Sequence, residues 1–132
     1  EDRADTPISL YAATKRADEL MSDTYAHLYG VPQTGLRFFT VYGPSGRPDM
    51  AVWLFTEAMF DGRPIRLFEG GNLLRDFTYV DDIVAGILGV LDRPPDDAAG
   101  APHRIVNIGN NHPETLRRFV SLLEANLGRK AK

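Results

Sequence analysis

The sequence predicts an α/β fold. Segments with helical spacing alternate with segments of strand composition along the 132 residues. One of these strands, Thr34–Val41, is apolar on both faces at its centre through Leu36, Phe38 and Phe39, the pattern of a buried parallel strand. At 43% hydrophobic and 25% charged, the composition suits one soluble globular unit and not a disordered segment.

Each element has its own signal. Residues 1–8 are polar and carry Pro7, which predicts a loop. Ser9 stands where an N-cap is needed, before a helix in which Leu10, Ala13, Ala17, Leu20, Met21 and Leu28 recur at helical spacing. Gly30 followed by Pro32 stops it. The strand Thr34–Val41 is rich in β-branched and aromatic residues and ends at Tyr42-Gly43-Pro44. Asp49 is placed to cap a helix from Met50 to Phe60, which stops at Asp61-Gly62. Ile65–Phe68 predicts a short strand, Glu69–Asn72 a turn with Gly70-Gly71 as its hairpin, and Phe77–Val80 another extended piece. Asp81 or Asp82 caps a helix to about Leu91. Arg93–Pro102, rich in Pro, Asp, Ala and Gly, predicts a loop, Arg104–Ile108 a strand and Gly109–Pro113 a turn. Thr115 caps the final helix through Leu127, with Gly128 as its C-cap. There is no internal repeat. Strand 34–41 lacks enough partners within the chain, so its sheet is expected to be completed by residues outside it. The start at Glu1 without methionine and the end at Gly128-Arg-Lys-Ala-Lys132 lead us to expect that both ends are cut.

Composition narrows the function. The net charge is −3 with both signs interspersed, and no basic stripe alternates with aromatics, so a nucleic-acid partner is not expected. No apolar run approaches the ~20 residues of a membrane helix, and no charged and apolar leader opens the chain. Cysteine is absent, which excludes disulfides and thiolate metal sites and fits a reducing, cytoplasmic setting. His27, His103 and His112 are too widely spaced to form a metal-ligand pair, and no metal is expected.

The chemistry concentrates in Ser9-Leu-Tyr11-Ala-Ala-Thr-Lys15. Side chains at i and i+4 share a helix face, so Lys15 lies on the face of Tyr11. A cation beside a phenol favours the phenolate, which is how a tyrosine serves as acid and base near neutral pH. Taken alone the spacing is common, and most instances are a surface tyrosine near a solvated lysine. Three further motifs follow in order: Gly35-Leu-Arg-Phe-Phe-Thr-Val-Tyr-Gly-Pro44, Gly46-Arg-Pro-Asp49 and Arg75-Asp-Phe-Thr-Tyr-Val-Asp-Asp82.

Together these four resemble the C-terminal half of the extended short-chain dehydrogenase/reductases of the NAD-dependent epimerase/dehydratase family, and most closely the UDP-glucuronate 4-epimerases. The resemblance runs from about Pro7 to Gly128. It implies a Rossmann-like doubly wound sheet plus a small substrate-binding region, incomplete without its N-terminal half. Residues 1–132 would then form the C-terminal half of that domain, with the substrate-binding region mainly within 43–132. No Gly-rich phosphate turn follows a strand in this chain, so the resemblance places the cofactor phosphates, and the catalytic Ser/Thr of the family, upstream of Glu1.

The resemblance implies NAD as cofactor and a UDP-sugar as substrate. The tyrosine matching Tyr11 is the base that removes the sugar 4-hydroxyl proton, and the lysine matching Lys15 holds the nicotinamide ribose. Phe39 resembles the residue whose backbone touches NAD, while the side chains of Phe38 and Phe39 suit a core. Thr40 resembles the glucuronate group, where a hydroxyl at a strand end can donate to a carboxylate. Arg47 would face the uronate carboxylate with its planar fork, the alternative being a solvated loop arginine. Arg75 would contact the diphosphate, the alternative being a pair with Asp76. Phe68 resembles the uridine-pocket region, with a core role equally open. Asp81 and Asp82 are helix caps, not metal ligands. The resemblance also implies a homodimer for the whole enzyme. Other UDP-sugar 4-epimerases and a UDP-glucuronate decarboxylase of the same superfamily stay open, as does an inert half-protein that only binds substrate or a partner. Because it lacks the cofactor half, the chain alone is expected to be inactive.

Overall fold

The computed structural model describes residues 6–98 and 100–132. Residues 1–5 of the predicted N-terminal loop and Ala99 of the 93–102 loop lie outside the described residues. Helix α1 spans Leu10–Tyr29. Ser9 caps it as expected, its hydroxyl accepting from the Ala12 N–H at 3.1 Å, which satisfies one of the donors a first turn leaves open. Gly30 closes it at φ 63, donating its N–H to the Ala26 carbonyl, in the left-handed geometry that glycine adopts without a Cβ penalty.

The predicted strand 34–41 divides in two. Strand β1 is Gln33–Phe38 and β2 is Thr40–Tyr42, with a break at Phe39. β1 pairs with β4 (His103–Ile108) in a two-stranded sheet, while β2 belongs to a second sheet of order β2-β3-β5, with β3 at Leu74–Tyr79 and β5 at Pro113–Thr115. Full burial was the expectation for this segment; instead Phe38 and Phe39 are 48% and 50% exposed. Among the described residues β1 has a single neighbour, so its other edge and much of its surface remain uncovered.

The chain forms two compact units, each described by itself. One joins the residues up to Arg37 with Ala85–Ile108. In it α1 packs on β4 and buries Ala26. Ser22 donates to the Gln33 side chain at 2.7 Å, and His103 Nδ1 lies 3.4 Å from the Asp23 carboxylate. The other unit joins Phe38–Val84 with Gly109–Lys132. Here β2 runs parallel to β3, pairing Thr40 with Phe77 and Tyr42 with Tyr79. β5 runs antiparallel to β3, pairing Asp76 with Pro113. Helix α4 (Leu116–Leu127) packs on β5 and helix α2 (Ala51–Asp61) packs on α4, with Ala58, Met59, Leu116 and Val120 buried. Phe119 stacks on Phe77 at 4.7 Å between centroids, with Phe55 at 6.1 Å. Thr115 caps α4 by accepting from the Arg118 N–H at 3.1 Å, and Gly128 ends it at φ 63.

Several local expectations are corrected. The N-cap of α2 is Met50, with no side-chain cap bond, because Asp49 is held by Arg47. Ile65–Phe68 is not a strand: the Ile65 N–H donates to the Lys132 carbonyl at 2.9 Å, and Phe68–Gly71 is a 3-10 turn. Glu69 and Gly70 there take φ 49 and 61, so Gly70-Gly71 is not a hairpin. Helix α3 (Val80–Leu91) follows β3 directly. Asp81 and Asp82 therefore lie in its first turn rather than at its cap, where carboxylates still favour the positive helix end. β5 was not expected. Among the described residues no helix is long and apolar enough to cross a membrane.

Candidate functional site

In the first unit, Tyr11 and Lys15 line a cleft of about 440 Å³ together with Pro7, Ile8, Glu19 and Arg37. Tyr11 is 73% exposed, so its phenol is presented and not packed away. Lys15 occupies the same face, as its spacing requires, but its ammonium donates to Asp18 at 2.8 Å. That hydrogen bond, and then the Asp18 charge, raise the Lys15 pKa. Behind the pair lies a network that sequence reasoning missed. Arg37 grips Glu19 with two bonds, Nε to Oε1 at 2.6 Å and Nη2 to Oε2 at 2.9 Å, and Arg16 adds a third at 2.8 Å. The Arg37 bond, aided by Arg16 against the opposing effect of burial, holds the Glu19 carboxyl down at about 2. Glu19 four residues after Lys15 was a visible signal, but it pointed to a local helix pair and not to Arg37.

In the second unit, Phe39, Thr40, Arg75, Asp76 and Asn111 line a cavity of about 570 Å³. The parallel pairing of β2 with β3 brings three predicted residues, Phe39, Thr40 and Arg75, to this one cavity. Arg75 donates to its neighbour's carbonyl, Leu74 O, at 3.2 Å and makes no ion pair among the described residues. The alternative pair with Asp76 does not form, because Asp76 is engaged elsewhere. Its Oδ1 accepts from the Thr78 hydroxyl at 2.8 Å and the Asn110 N–H at 2.9 Å, and its Oδ2 from the His112 N–H at 3.2 Å. Burial pushes the Asp76 pKa up, but these bonds outweigh it, and the carboxyl sits below its usual range. The carboxylate thus fastens the 110–112 turn, in which Asn111 takes φ 57, to the middle of β3. Beside that turn the Phe39 ring lies against Gly109, where a Cβ would stand only 2.5 Å from Phe39 Cδ2.

The remaining two predicted residues are placed apart from this cavity. Arg47 lines a separate cleft of about 250 Å³ with Tyr42, Met50 and Trp53. It is 75% exposed, and its fork holds Asp49, with Nε at 3.0 Å from Oδ1 and Nη2 on Oδ2. Arg47 thus presents two donors to a carboxylate at an exposed position. Phe68 is 65% exposed on the 3-10 turn. For a dinucleotide, the hydroxyl of Tyr11 and the ammonium of Lys15 suit ribose hydroxyls. A phosphate-binding turn is not found among the described residues: Gly71 is closed off by Arg117, whose Cγ would lie 2.7 Å from an added Cβ. Among the described residues the Tyr11–Lys15 pair suits ribose hydroxyls.

Comparison with known proteins identifies the family. Residues 1–109 match the NAD dependent epimerase/dehydratase family. UDP-glucuronate 4-epimerase 1 of Arabidopsis thaliana is 52% identical over 141 residues, which take in 99% of this chain and 33% of that protein. Protein CapI of Staphylococcus aureus is 50% identical over 143 residues, covering 99% and 43%. The crystal structure of UDP-glucuronic acid 4-epimerase from Bacillus cereus, in complex with UDP-glucuronic acid and NAD, superposes with a TM-score of 0.83 at 33% identity, covering 96% of this chain and 39% of that one. The chain thus spans well under half the length of the relatives it matches. By its family match, its α/β fold and these relatives, the chain belongs to the NAD-dependent epimerase/dehydratase family and corresponds to one part of its longer members.

Proposed function

We propose that the chain is the C-terminal half of an NAD-dependent UDP-glucuronate 4-epimerase, which interconverts UDP-glucuronate and UDP-galacturonate through a 4-keto sugar. The observation that carries this reading is the exposed Tyr11 on the same helix face as Lys15, lining one cleft. Tyr11 takes the proton of the sugar 4-hydroxyl and returns it after the sugar has turned. Lys15 leaves Asp18 to hold the nicotinamide ribose and to favour the phenolate. NAD, when bound, supplies the acceptor and donor of the C4 hydride. Phe39 contributes backbone beside the nicotinamide. Thr40 donates to the substrate, Arg75 offers its guanidinium to the diphosphate, and Phe68 flanks the uridine, so that substrate binding rests mainly on 43–132. Arg47 exchanges Asp49 for the uronate carboxylate; holding that carboxylate opposes its loss as CO2 and favours epimerisation over decarboxylation. The whole enzyme is a cytoplasmic homodimer, and the 132 residues alone do not turn over.

The test is made in the whole enzyme. Tyr11→Phe is expected to abolish turnover while leaving UDP-glucuronate binding within a few-fold. Substantial residual turnover would remove Tyr11 as the base. CO2 released from carboxyl-labelled UDP-glucuronate would replace the epimerase with a decarboxylase. Conversion of UDP-glucuronate by purified residues 1–132 with NAD would refute the half-enzyme reading.

A further inference from the structure

We infer that Glu19, held by Arg37, is a positioning residue for the Tyr11–Lys15 turn, fastening the catalytic half of α1 to the end of β1 so that both side chains enter their cleft from a fixed helix. The inference rests on the reading of Tyr11 as the base. Tyr11, Lys15 and Glu19 stand at i, i+4 and i+8, on one face of α1, and all three line the same cleft as Arg37. Exposure falls along this row. Tyr11 is 73% exposed, while the Lys15 side chain is 59% and the Glu19 side chain 17% exposed. The row therefore runs from a presented reactive end to an anchored one.

The anchor has directional geometry. A carboxylate gripped through two nearly parallel bonds by a guanidinium fixes orientation as well as distance. One turn further along, Ser22 bonds Gln33 at 2.7 Å, and Asp23 faces His103 at 3.4 Å. Of these three ties between α1 and the strands, Glu19–Arg37 is the nearest to Lys15. The turns N-terminal to it project beyond the ties, with Leu10 83% exposed. Without Glu19 the other two ties begin at Ser22, and the reacting turn would be held less firmly. A small displacement of a reacting group is costly: about 1 Å is worth up to ~100-fold in rate.

The experiment compares Glu19→Gln, Arg37→Lys and the double variant Glu19→Gln/Arg37→Gln in the whole enzyme, with Tyr11→Phe as reference. Two readouts are taken: steady-state kinetics, and amide hydrogen exchange along α1 without substrate. Glu19→Gln is expected to lower kcat about tenfold with KM for the sugar nucleotide within about twofold. Arg37→Lys, which keeps the charge but loses the fork, is expected to recover about half of that loss on a logarithmic scale. The double variant should be no worse than Glu19→Gln, since the two act as one unit. Exchange should quicken at residues 13–18 and stay unchanged at 24–29. Unchanged kcat in Glu19→Gln would overturn the inference. So would exchange that quickens evenly along the whole helix, which would mark a general loss of stability. If Tyr11→Phe remains active, the Tyr11 reading fails on its own, while the exchange pattern still decides whether Glu19 holds the turn.

Discussion

Asp76→Asn should release the 110–112 turn without changing the size of any side chain. In the native protein Asp76 Oδ1 accepts from Thr78 Oγ1 at 2.8 Å and Asn110 N at 2.9 Å, and Oδ2 accepts from His112 N at 3.2 Å. An asparagine oxygen can keep the first two partners, but without the charge, which costs about 1 kcal/mol for the pair. Its amide nitrogen then faces the His112 N–H, donor against donor. Leaving that donor unmet costs about 1–3 kcal/mol, and the low end applies because this bond lies at the surface. The sum is about 2 kcal/mol, or about thirtyfold in a local opening equilibrium. Amide hydrogen exchange at Asn110 and His112 is therefore expected to quicken by about thirtyfold in the variant, while the α2 amides are unaffected. The sign with pH follows from the depressed folded pKa. The carboxylate's contribution is complete above its ordinary value of 3.8 and fades as pH falls through the lower folded value. Wild type and variant should thus converge in acid. A change below about threefold near neutral pH, or a difference that persists undiminished in strong acid, would refute the assignment of Asp76 as the clamp.

Three more outcomes are expected. Phe119→Ala removes a half-buried ring stacked on Phe77 and close to Phe55 and should cost about 3 kcal/mol, read as a fall of about 1–2 M in the urea midpoint of the unit that contains it. Gly109→Ala puts a methyl 2.5 Å from Phe39 Cδ2; the Phe39 ring must move, at about 1–3 kcal/mol, and unchanged Phe39 ring resonances would contradict the packing. Arg47→Ala in the whole enzyme should weaken UDP-glucuronate by about tenfold and UDP-glucose by much less, and equal losses measured by calorimetry would take Arg47 away from the carboxylate.

What the sequence made legible was local. Ser9 and Thr115 each bond an amide three residues on, and Gly30 and Gly128 take a backbone geometry set by their own lack of a side chain, so a short window contains the whole cause. Where a distant or competing partner decides, the reading failed. Ile65 is claimed by Lys132, Asp49 by Arg47 instead of the helix start, and the break at Phe39 reflects a change of sheet that residue type does not encode. The site divides the same way. That Tyr11 and Lys15 share one cleft follows from a four-residue spacing. Glu19–Arg37 joins residues 18 apart and Asp76–Asn110 joins residues 34 apart, so these supports emerged only with the fold.

The outer surface of α1 has a consequence for engineering. Met21, Tyr25, Leu28 and Tyr29 are each more than half exposed and fall at helical spacing along one side of a helix whose other side packs on β4. A screen for solubility or yield run on these 132 residues would reward lysine or glutamate at those positions. The longer relatives, of which this chain spans less than half, offer the reason to distrust such gains. Residues that look like surface defects in the part are candidates for burial in the whole, so variants selected on the short chain should be carried into the full-length protein before any is kept.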